Sequence, residues 1–267
     1  MAKIARFLDS GTARTAINQG DGWQLLEGNL YGSYRTGAKV ALPDQLLSPV
    51  EPTAVYCIGL NYRAHAAEVG AKIPTHPVLF IKTANTVIGH GNVVERPDRA
   101  GSTKLDYECE LAVVIGKECK NVPAEQALDY VAGYTCANDI SARDWQMEWG
   151  GGQFCRGKSF DTFCPLGPVL VTADEISNPN ALEISTRVNG ERVQHSNTED
   201  MIFDVPALIA FLSASTTLHP GTVLITGTPS GVGAGRNPPL WLQPGDTVSV
   251  EIENIGTLVN PVVAEAC

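Results

Sequence analysis

Residues 106–116, DYECELAVVIG, carry closely spaced carboxylates at the start of an apolar stretch. Successive side chains of a β-strand point to opposite faces, so Asp106, Glu108 and Glu110 are expected on one face. Carboxylates grouped beside a buried strand repel one another and lose hydration unless the face is solvated or a cation lies between them. Oxygen ligands of this kind select hard ions such as Mg²⁺, Mn²⁺ or Ca²⁺. The pattern therefore predicts either a metal site or an edge strand with a hydrated acidic face.

A further carboxylate follows the apolar stretch GYTCAN at Asp139. Functional side chains often emerge where a buried strand ends, although an aspartate here could also cap a helix. Arg143 and Gln146 come four and seven residues later, so a continuing turn or helix would carry a cation and an amide near the same place. These residues extend the candidate site from one strand to two.

His65 and Glu68, within the segment GLNYRAHAAE, are three residues apart. On a helix this spacing places both side chains on one face. A carboxylate beside an imidazole fixes its tautomer and raises its basicity, as a water-activating base requires. The alternative is a surface histidine next to a capping glutamate.

Two later segments contain polar residues among glycines and aromatic residues. GKSFDTFCPLGP contains Lys158, and TGTPSGVGAG places Thr228 between a strand end and a glycine-rich loop. That loop lacks the lysine of a phosphate-binding P-loop and does not follow the G-x-G-x-x-G pattern. Pro238 and Pro239 follow it where a nucleotide-binding loop would lead into a helix. We therefore expect the loop to contact a carboxylate and not a nucleotide.

The elements that must position these residues are mainly strands. Five apolar segments have the length of buried strands: VYCIGL, PVLFIKT, ELAVVIG, PLGPVLVT and TVLITG. Asn189-Gly190 predicts a two-residue hairpin turn, and helices are predicted at 123–132 and after Asp204. We predict an α+β, β-rich fold with a small N-terminal β module at 1–50 and a catalytic domain at 51–267.

The charge balance and the cysteines restrict the class of protein. A net charge of −10 repels nucleic acid, and the 18% of charged residues is low enough to favour an oligomer. Seven cysteines without a C-x-x-C pair favour reduced, buried thiols. Arg6 and Asp9 interrupt any signal peptide, and no apolar segment approaches the roughly 18 residues of a membrane span. We predict a cytoplasmic protein with neither a nucleic-acid nor a membrane partner.

The motifs GLNYRAHAAE, DYECEL, NDISARDWQ, GKSFDTFCPLGP and TGTPSGVG, in this order, resemble the fumarylacetoacetate hydrolase superfamily from about Val55 onward. SARDWQ together with GKSFDTFCPLGP is most similar to the branch that includes oxaloacetate tautomerases. The resemblance implies a mixed β-sandwich roll, a homodimer, and Mg²⁺ or Mn²⁺ bound by two glutamates and an aspartate, with Ca²⁺ as a non-native occupant. The implied residues are Glu108, Glu110 and Asp139 for the metal, His65, Glu68 and Lys158 for catalysis, and Arg143, Gln146, Lys158 and Thr228 for the substrate.

The resemblance implies a small 2-oxo or diketo acid as substrate. Our first expectation is hydrolysis of a C–C bond in an acylpyruvate-type 2,4-diketo acid through a metal-stabilised enolate, with His65 and Glu68 activating water. The alternative is an oxaloacetate tautomerase or decarboxylase, or a 2-hydroxy-diene-dioate isomerase, using the same site. A non-enzymatic alternative is a Ca²⁺-binding β module, which would not need His65, Arg143 and Lys158 to converge on the metal.

Overall fold

A computed structural model describes residues 2–266, most of which lie in or between β-strands. The strands are β1 (Lys3–Asp9), β2 (Thr12–Asn18), β3 (Trp23–Gly28), β4 (Tyr34–Lys39), β5 (Ala54–Gly59), β6 (Val78–Lys82), β7 (Val87–Ile88), β8 (Val94–Arg96), β9 (Leu105–Asp106), β10 (Cys109–Ile115), β11 (Val131–Asn138), β12 (Ser141–Ala142), β13 (Cys164–Thr172), β14 (Glu183–Val188), β15 (Glu191–Asn197), β16 (Thr222–Ile225), β17 (Thr247–Ile252) and β18 (Gly256–Ala264). The α-helices are α1 (Arg63–Glu68), α2 (Cys155–Lys158) and α3 (Val205–Ser213). Short 3₁₀ turns connect several of them, and Asp144–Trp149 is a π-helical turn.

A mixed eleven-stranded sheet forms the centre of the molecule, in the order β4-β3-β2-β1-β13-β11-β10-β16-β5-β6, with β7 beside β13. β16 and β5 are parallel, whereas β10 is antiparallel to both of its neighbours. All seven residues of β10 are buried, as the apolar run Leu111–Ile115 predicts, and Glu110 near its start is buried with them. The N-terminal strands β1–β4 extend this sheet, because β1 pairs with β13.

A second sheet of five strands, in the order β15-β14-β17-β18-β8, packs on the first. Its inward side chains, among them Ile252 and Leu258, share one core cluster with Leu111 and Tyr134 of the large sheet and with Leu208 of α3. Burying side chains of this size contributes about 1.5–3 kcal/mol each. The predicted α+β, β-rich roll is confirmed by this arrangement.

The local signals for turns and caps are confirmed, but one predicted helix differs. Asn189 and Gly190 adopt φ of 51° and 82°, as a two-residue hairpin turn between β14 and β15 requires. Asp204 accepts a hydrogen bond from the Ala207 amide and caps α3. Ala124–Tyr130 instead forms a 3₁₀ helix with only Ala127 buried, so it lacks the apolar stripe that stabilises an α-helix. Within residues 2–266, no helix is long and apolar enough to cross a membrane.

The homodimer stays a prediction that light scattering can test. Strand β6 is an edge of the large sheet, and its Leu79 and Ile81 are 44% and 46% exposed, so this edge has apolar surface that a second copy could cover. We expect a mass of twice the 28.4 kDa chain at micromolar concentration. A mass equal to one chain would contradict the prediction.

Candidate active site

Two neighbouring strands bring three carboxylates together. Glu110 lies on β10, Glu108 directly precedes β10, and Asp139 directly follows β11. The strands are antiparallel with Cys109 opposite Asn138, so the start of one meets the end of the other. One carboxylate oxygen from each of the three acidic residues lies within 4.8 Å of the other two, and all three residues are buried.

Two cations, the buried Lys158 and the largely buried Arg143, contact Glu108. Lys158 Nζ donates to Glu108 Oε2 at 2.6 Å and to Asp139 Oδ2 at 2.7 Å. Arg143 donates to Glu108 Oε1 at 2.6 Å through one terminal nitrogen and to Gln146 Oε1 at 2.8 Å through the other. Charge-assisted bonds of this kind are the strongest in proteins, and here they fix both oxygens of Glu108.

Gly157 allows Lys158 to reach the acidic cluster. A Cβ at this position would lie 2.6 Å from the Gln146 amide nitrogen and 2.8 Å from the Ala142 carbonyl oxygen. Only glycine therefore lets the short helix α2 pack directly on the backbone that follows Asp139. This close approach places Lys158 at the end of β11.

Lys82 is a third buried cation, which we did not predict from the sequence. Its Nζ donates to Asp139 Oδ1 at 2.5 Å and to the Ile140 carbonyl at 3.0 Å, and its side chain has no exposed surface. The available signal was a lysine closing the apolar strand VLFIK, because a charge in such a position needs a buried partner. Asp139 thus has one ammonium group on each oxygen.

The pKa values of the two glutamates in the cluster are shifted in opposite directions by their neighbours. Burial alone would raise the pKa of Glu108, but Lys158 and Arg143 hold that pKa well below its ordinary value. Burial and the neighbouring Asp139 and Glu108 raise the pKa of Glu110 well above its usual range. Without a bound cation, Glu110 therefore tends to keep a proton, which a metal ion would replace.

Asp106, which sequence alternation grouped with the two glutamates, has a different structural position. Its carboxylate accepts hydrogen bonds from the amides of Gly233 and Ala234 at 2.7 and 2.9 Å and from Arg143 Nε at 2.8 Å. Asp106 thereby fixes the glycine-rich loop and Arg143 relative to each other. The strand breaks between β9 and β10, which is why strict alternation does not continue through Glu108.

His65 and Glu68 form the predicted pair on α1. His65 Nδ1 lies 2.9 Å from Glu68 Oε2, and Glu68 Oε1 accepts from the Gly231 amide at 2.8 Å. Burial would raise the pKa of Glu68, but the bonds to His65 and Gly231 lower it. The carboxylate is thus charged at neutral pH, and it fastens α1 to the glycine-rich loop while orienting the imidazole.

The loop after β16 carries the predicted Thr228. Gly227 and Gln194, which hold this loop in place, were not predicted from the sequence. Gly227 has a positive φ of 103°, and its amide donates to Glu110 Oε2 at 2.5 Å. Gln194, from the second sheet, donates to the Thr228 hydroxyl at 2.9 Å and accepts from the Cys109 amide at 3.0 Å. No local pattern marks Gln194, because its partners come from distant parts of the chain.

These side chains surround one cavity of about 370 Å³. Seven of the nine predicted site residues line it: His65, Glu108, Glu110, Arg143, Gln146, Lys158 and Thr228. Asp139 and Glu68 lie directly behind, bonded to Lys158 and to His65. The predicted residues therefore converge, and the Ca²⁺-binding alternative offers no reason for His65, Arg143 and Lys158 to do so.

The acidic cluster fits a hard divalent cation. Three buried carboxylates offer all-oxygen ligation, and burial together with the neighbouring Asp139 and Glu108 raises the pKa of Glu110, an effect that a cation at this place would offset. Mg²⁺ and Mn²⁺ prefer such ligands, and softer metals prefer thiolate or imidazole. The cysteines of the described chain, residues 2–266, are free thiols, and most are buried. Glu108, Glu110 and Asp139 would hold the ion.

Replacing Lys82 with methionine is expected to destabilise the protein by about 3–5 kcal/mol, because it leaves the Asp139 carboxylate with an unpaired buried oxygen. Urea unfolding followed by circular dichroism measures this change. Lys120→Met, at an exposed position, is the matched control and should stay within about 0.5 kcal/mol of the wild type. Equal stability of the Lys82→Met variant and this control would show that the Lys82–Asp139 ion pair is not important for folding.

Comparison with known proteins identifies relatives over most of the chain. Residues 54–263 match the sequence profile described as "Fumarylacetoacetate (FAA) hydrolase C-terminal". A mitochondrial oxaloacetate tautomerase from Xenopus laevis is 50% identical over 219 residues, which are 82% of this chain and 68% of that protein. A human mitochondrial oxaloacetate tautomerase is 49% identical over 218 residues, 81% of this chain and 69% of that protein. Because both relatives are named as mitochondrial, the predicted cytoplasmic localisation is not confirmed.

A solved structure shows the same fold over the full length. The 2-hydroxyhepta-2,4-diene-1,7-dioate isomerase from Mycobacterium marinum superposes with a TM-score of 0.86 and 37% identity, covering 100% of both chains. These three relatives are thus named as two oxaloacetate tautomerases and one 2-hydroxyhepta-2,4-diene-1,7-dioate isomerase. Their names agree better with the alternative expectation, tautomerisation or isomerisation, than with the first expectation, C–C hydrolysis.

Proposed function

Because the chain belongs to the fumarylacetoacetate hydrolase family, we propose that it is a metal-dependent enzyme that interconverts the enol and keto forms of a small 2-oxo acid, with oxaloacetate as the first substrate to test. The observation that carries the proposal is the convergence of the acidic cluster, Lys158 and Arg143 at one end of a single cavity. The identity to oxaloacetate tautomerases supports the same reaction.

The charges of the site suit an anionic substrate. The charged or titratable groups at this end are four carboxylates and three cations: Asp106, Glu108, Glu110, Asp139, Lys82, Arg143 and Lys158. Without a metal ion Glu110 keeps a proton, so the other three carboxylates balance the three cations. A bound divalent ion that replaces this proton would leave one net positive charge. A substrate carboxylate would thus be attracted locally, although the whole protein has a net charge of −10.

Each residue has a defined part in the proposed reaction. A divalent ion held by the three carboxylates would supply Lewis acidity towards the 2-oxo and carboxylate oxygens of the substrate. Arg143 and Gln146 bind and orient the substrate carboxylate. Lys158 stays charged, since Asp139 and Glu108 outweigh the effect of burial and raise its pKa. Its ammonium donates a proton to C3 of the enol, and the proton released by the enol hydroxyl returns to the Lys158 amine through solvent, so the substrate changes form without net change in composition.

Hydrolysis of an acylpyruvate remains a second candidate because of the His65–Glu68 pair. An imidazole held at 2.9 Å from a charged carboxylate can act as the base for an attacking water. In that reaction the hydroxyl adds to the distal carbonyl, the C–C bond breaks, and the bonding electrons pass to the pyruvate fragment. Protonation of C3 then completes pyruvate, and the other product is a carboxylic acid.

Product identification by NMR distinguishes these reactions. The Mg²⁺- or Mn²⁺-loaded protein would be offered the enol form of oxaloacetate, an acylpyruvate and a 2-hydroxy-diene-dioate. The proposal predicts rapid formation of keto oxaloacetate without carbon loss. Formation of pyruvate and a free acid from the acylpyruvate, with no acceleration of enol conversion, would overturn the proposal in favour of the hydrolase.

A further inference from the structure

The cavity has two chemically different ends. The polar end carries the acidic cluster, Arg143 and Lys158. The remaining wall is apolar, and it includes Val69, Val78, Phe80, Met147, Phe154 and Val232. A volume of about 370 Å³ falls within the range of sites for ligands larger than a four-carbon diacid.

An aromatic pair adjoins the ammonium group to which we assign proton donation. Lys158 Nζ lies 5.1 Å from the centre of the Phe80 ring. Phe80 and Phe154 pack edge to face, with ring centres 5.8 Å apart and an angle of 73°. A planar apolar group attached to the reacting carbon would therefore find an aromatic wall beside it.

The apolar end lacks a free cation for a second carboxylate. Among the described residues that line the cavity, the basic side chains are His65, Arg143 and Lys158. Each is already paired with carboxylates: His65 with Glu68, and the other two with Glu108 and its neighbours. A carboxylate placed against Phe80 and Phe154 would lose hydration without gaining a partner, which is unfavourable.

We propose that the site also accepts 2-oxo acids with one carboxylate and an apolar group at C3, of which phenylpyruvate is the simplest aryl example. This inference rests on the proposed tautomerase function and specifies its substrate class. The carboxylate and 2-oxo oxygen occupy the polar end, and the phenyl group packs against Phe80 and Phe154. The enol gains a proton at C3 and loses its hydroxyl proton, so no further reactant is needed.

The direct test compares enol-to-keto conversion of phenylpyruvate and oxaloacetate by ultraviolet absorbance on one preparation of Mg²⁺-loaded protein. We expect kcat/KM for phenylpyruvate to lie within about tenfold of the oxaloacetate value, because the phenyl group packs on the aromatic wall, where the second carboxylate of oxaloacetate has no free cation to pair with. Conversion of oxaloacetate alone would overturn the inference and leave the proposed function intact. Conversion of neither substrate would overturn both.

Phe154→Leu tests whether the aromatic wall determines specificity. The substitution removes the edge-to-face contact with Phe80 and should lower kcat/KM for phenylpyruvate by about 3- to 10-fold more than kcat/KM for oxaloacetate. An equal loss for both substrates would indicate a structural effect and contradict the assignment.

Met147→Arg tests the same wall independently at an exposed position. Met147 lines the cavity but is 69% exposed, so an arginine can be accommodated without disturbing the core. The new cation should raise the ratio of oxaloacetate to phenylpyruvate kcat/KM by about tenfold, equivalent to 1.4 kcal/mol. The volume-conserving control Met147→Leu should leave the ratio within about twofold. An unchanged ratio in Met147→Arg would contradict contact between this wall and the substituent at C3.

Discussion

Replacing Glu110 with glutamine, or Asp139 with asparagine, is expected to lower Mg²⁺ or Mn²⁺ affinity by more than about 100-fold. Loss of a residue that only supports a metal ligand already costs 10- to 100-fold, and here an anionic ligand itself is removed. Isothermal calorimetry measures the affinity directly. The effect should exceed that of any substitution on the apolar wall, because those side chains carry no ligand for the ion.

Glu125→Gln is the matched control, since Glu125 is an exposed carboxylate on the 3₁₀ helix and should leave affinity unchanged. Thermal unfolding of each variant separates loss of binding from loss of folding. Glu110→Gln is the more informative variant because the amide oxygen can still accept the hydrogen bond from Gly227. Wild-type affinity in both Glu110→Gln and Asp139→Asn would remove these residues from the metal site.

Replacing His65 with alanine is expected to reduce acylpyruvate hydrolysis by about 10²- to 10⁴-fold, the usual contribution of a positioned general base. Tautomerisation of oxaloacetate should fall less, since Lys158 donates the proton in that reaction. The quantity to compare is kcat/KM for both reactions on the same preparation, which reports the loss of transition-state stabilisation. His65→Ala should therefore lower kcat/KM for hydrolysis much more than kcat/KM for tautomerisation.

His76→Ala serves as the control, because His76 is exposed and does not line the cavity. If the wild type shows no hydrolysis and converts oxaloacetate enol rapidly, the tautomerase proposal is supported and the hydrolase expectation is wrong. If His65→Ala leaves measurable hydrolysis at the wild-type rate, the assignment of the base is wrong whichever reaction is native.

The convergence of the acidic residues could be anticipated from the sequence because the signals are local. Glu108 directly precedes a buried strand, Glu110 lies near the start of that strand, and Asp139 directly follows another, so pairing of the two strands brings them together. The same holds for the helical spacing of His65 and Glu68. Residue type and strand position indicated the candidates, and the family resemblance grouped them into one metal site.

Other parts of the site depend on contacts between distant segments. Lys82 is 57 residues from Asp139, and Gln194 is 85 residues from Cys109, so no periodic pattern links either pair. The pairing of β1 with β13 is likewise specified by the packed sheet and not by any short motif. Asp106 shows the limit of alternation, because a break in the strand turns an apparent third member of the acidic face into an anchor for the glycine-rich loop.

The most direct test of the central claim is the initial rate at which oxaloacetate enol absorbance decays, measured by stopped flow. Metal-stripped protein would be compared with the same protein after Mg²⁺ is restored, with Mg²⁺ in buffer as the blank. The account predicts a kcat of about 1–10³ s⁻¹ that requires Mg²⁺ and is lost in Asp139→Asn. A decay rate equal to that of the buffer blank, or a rate unaffected by Asp139→Asn, would contradict it.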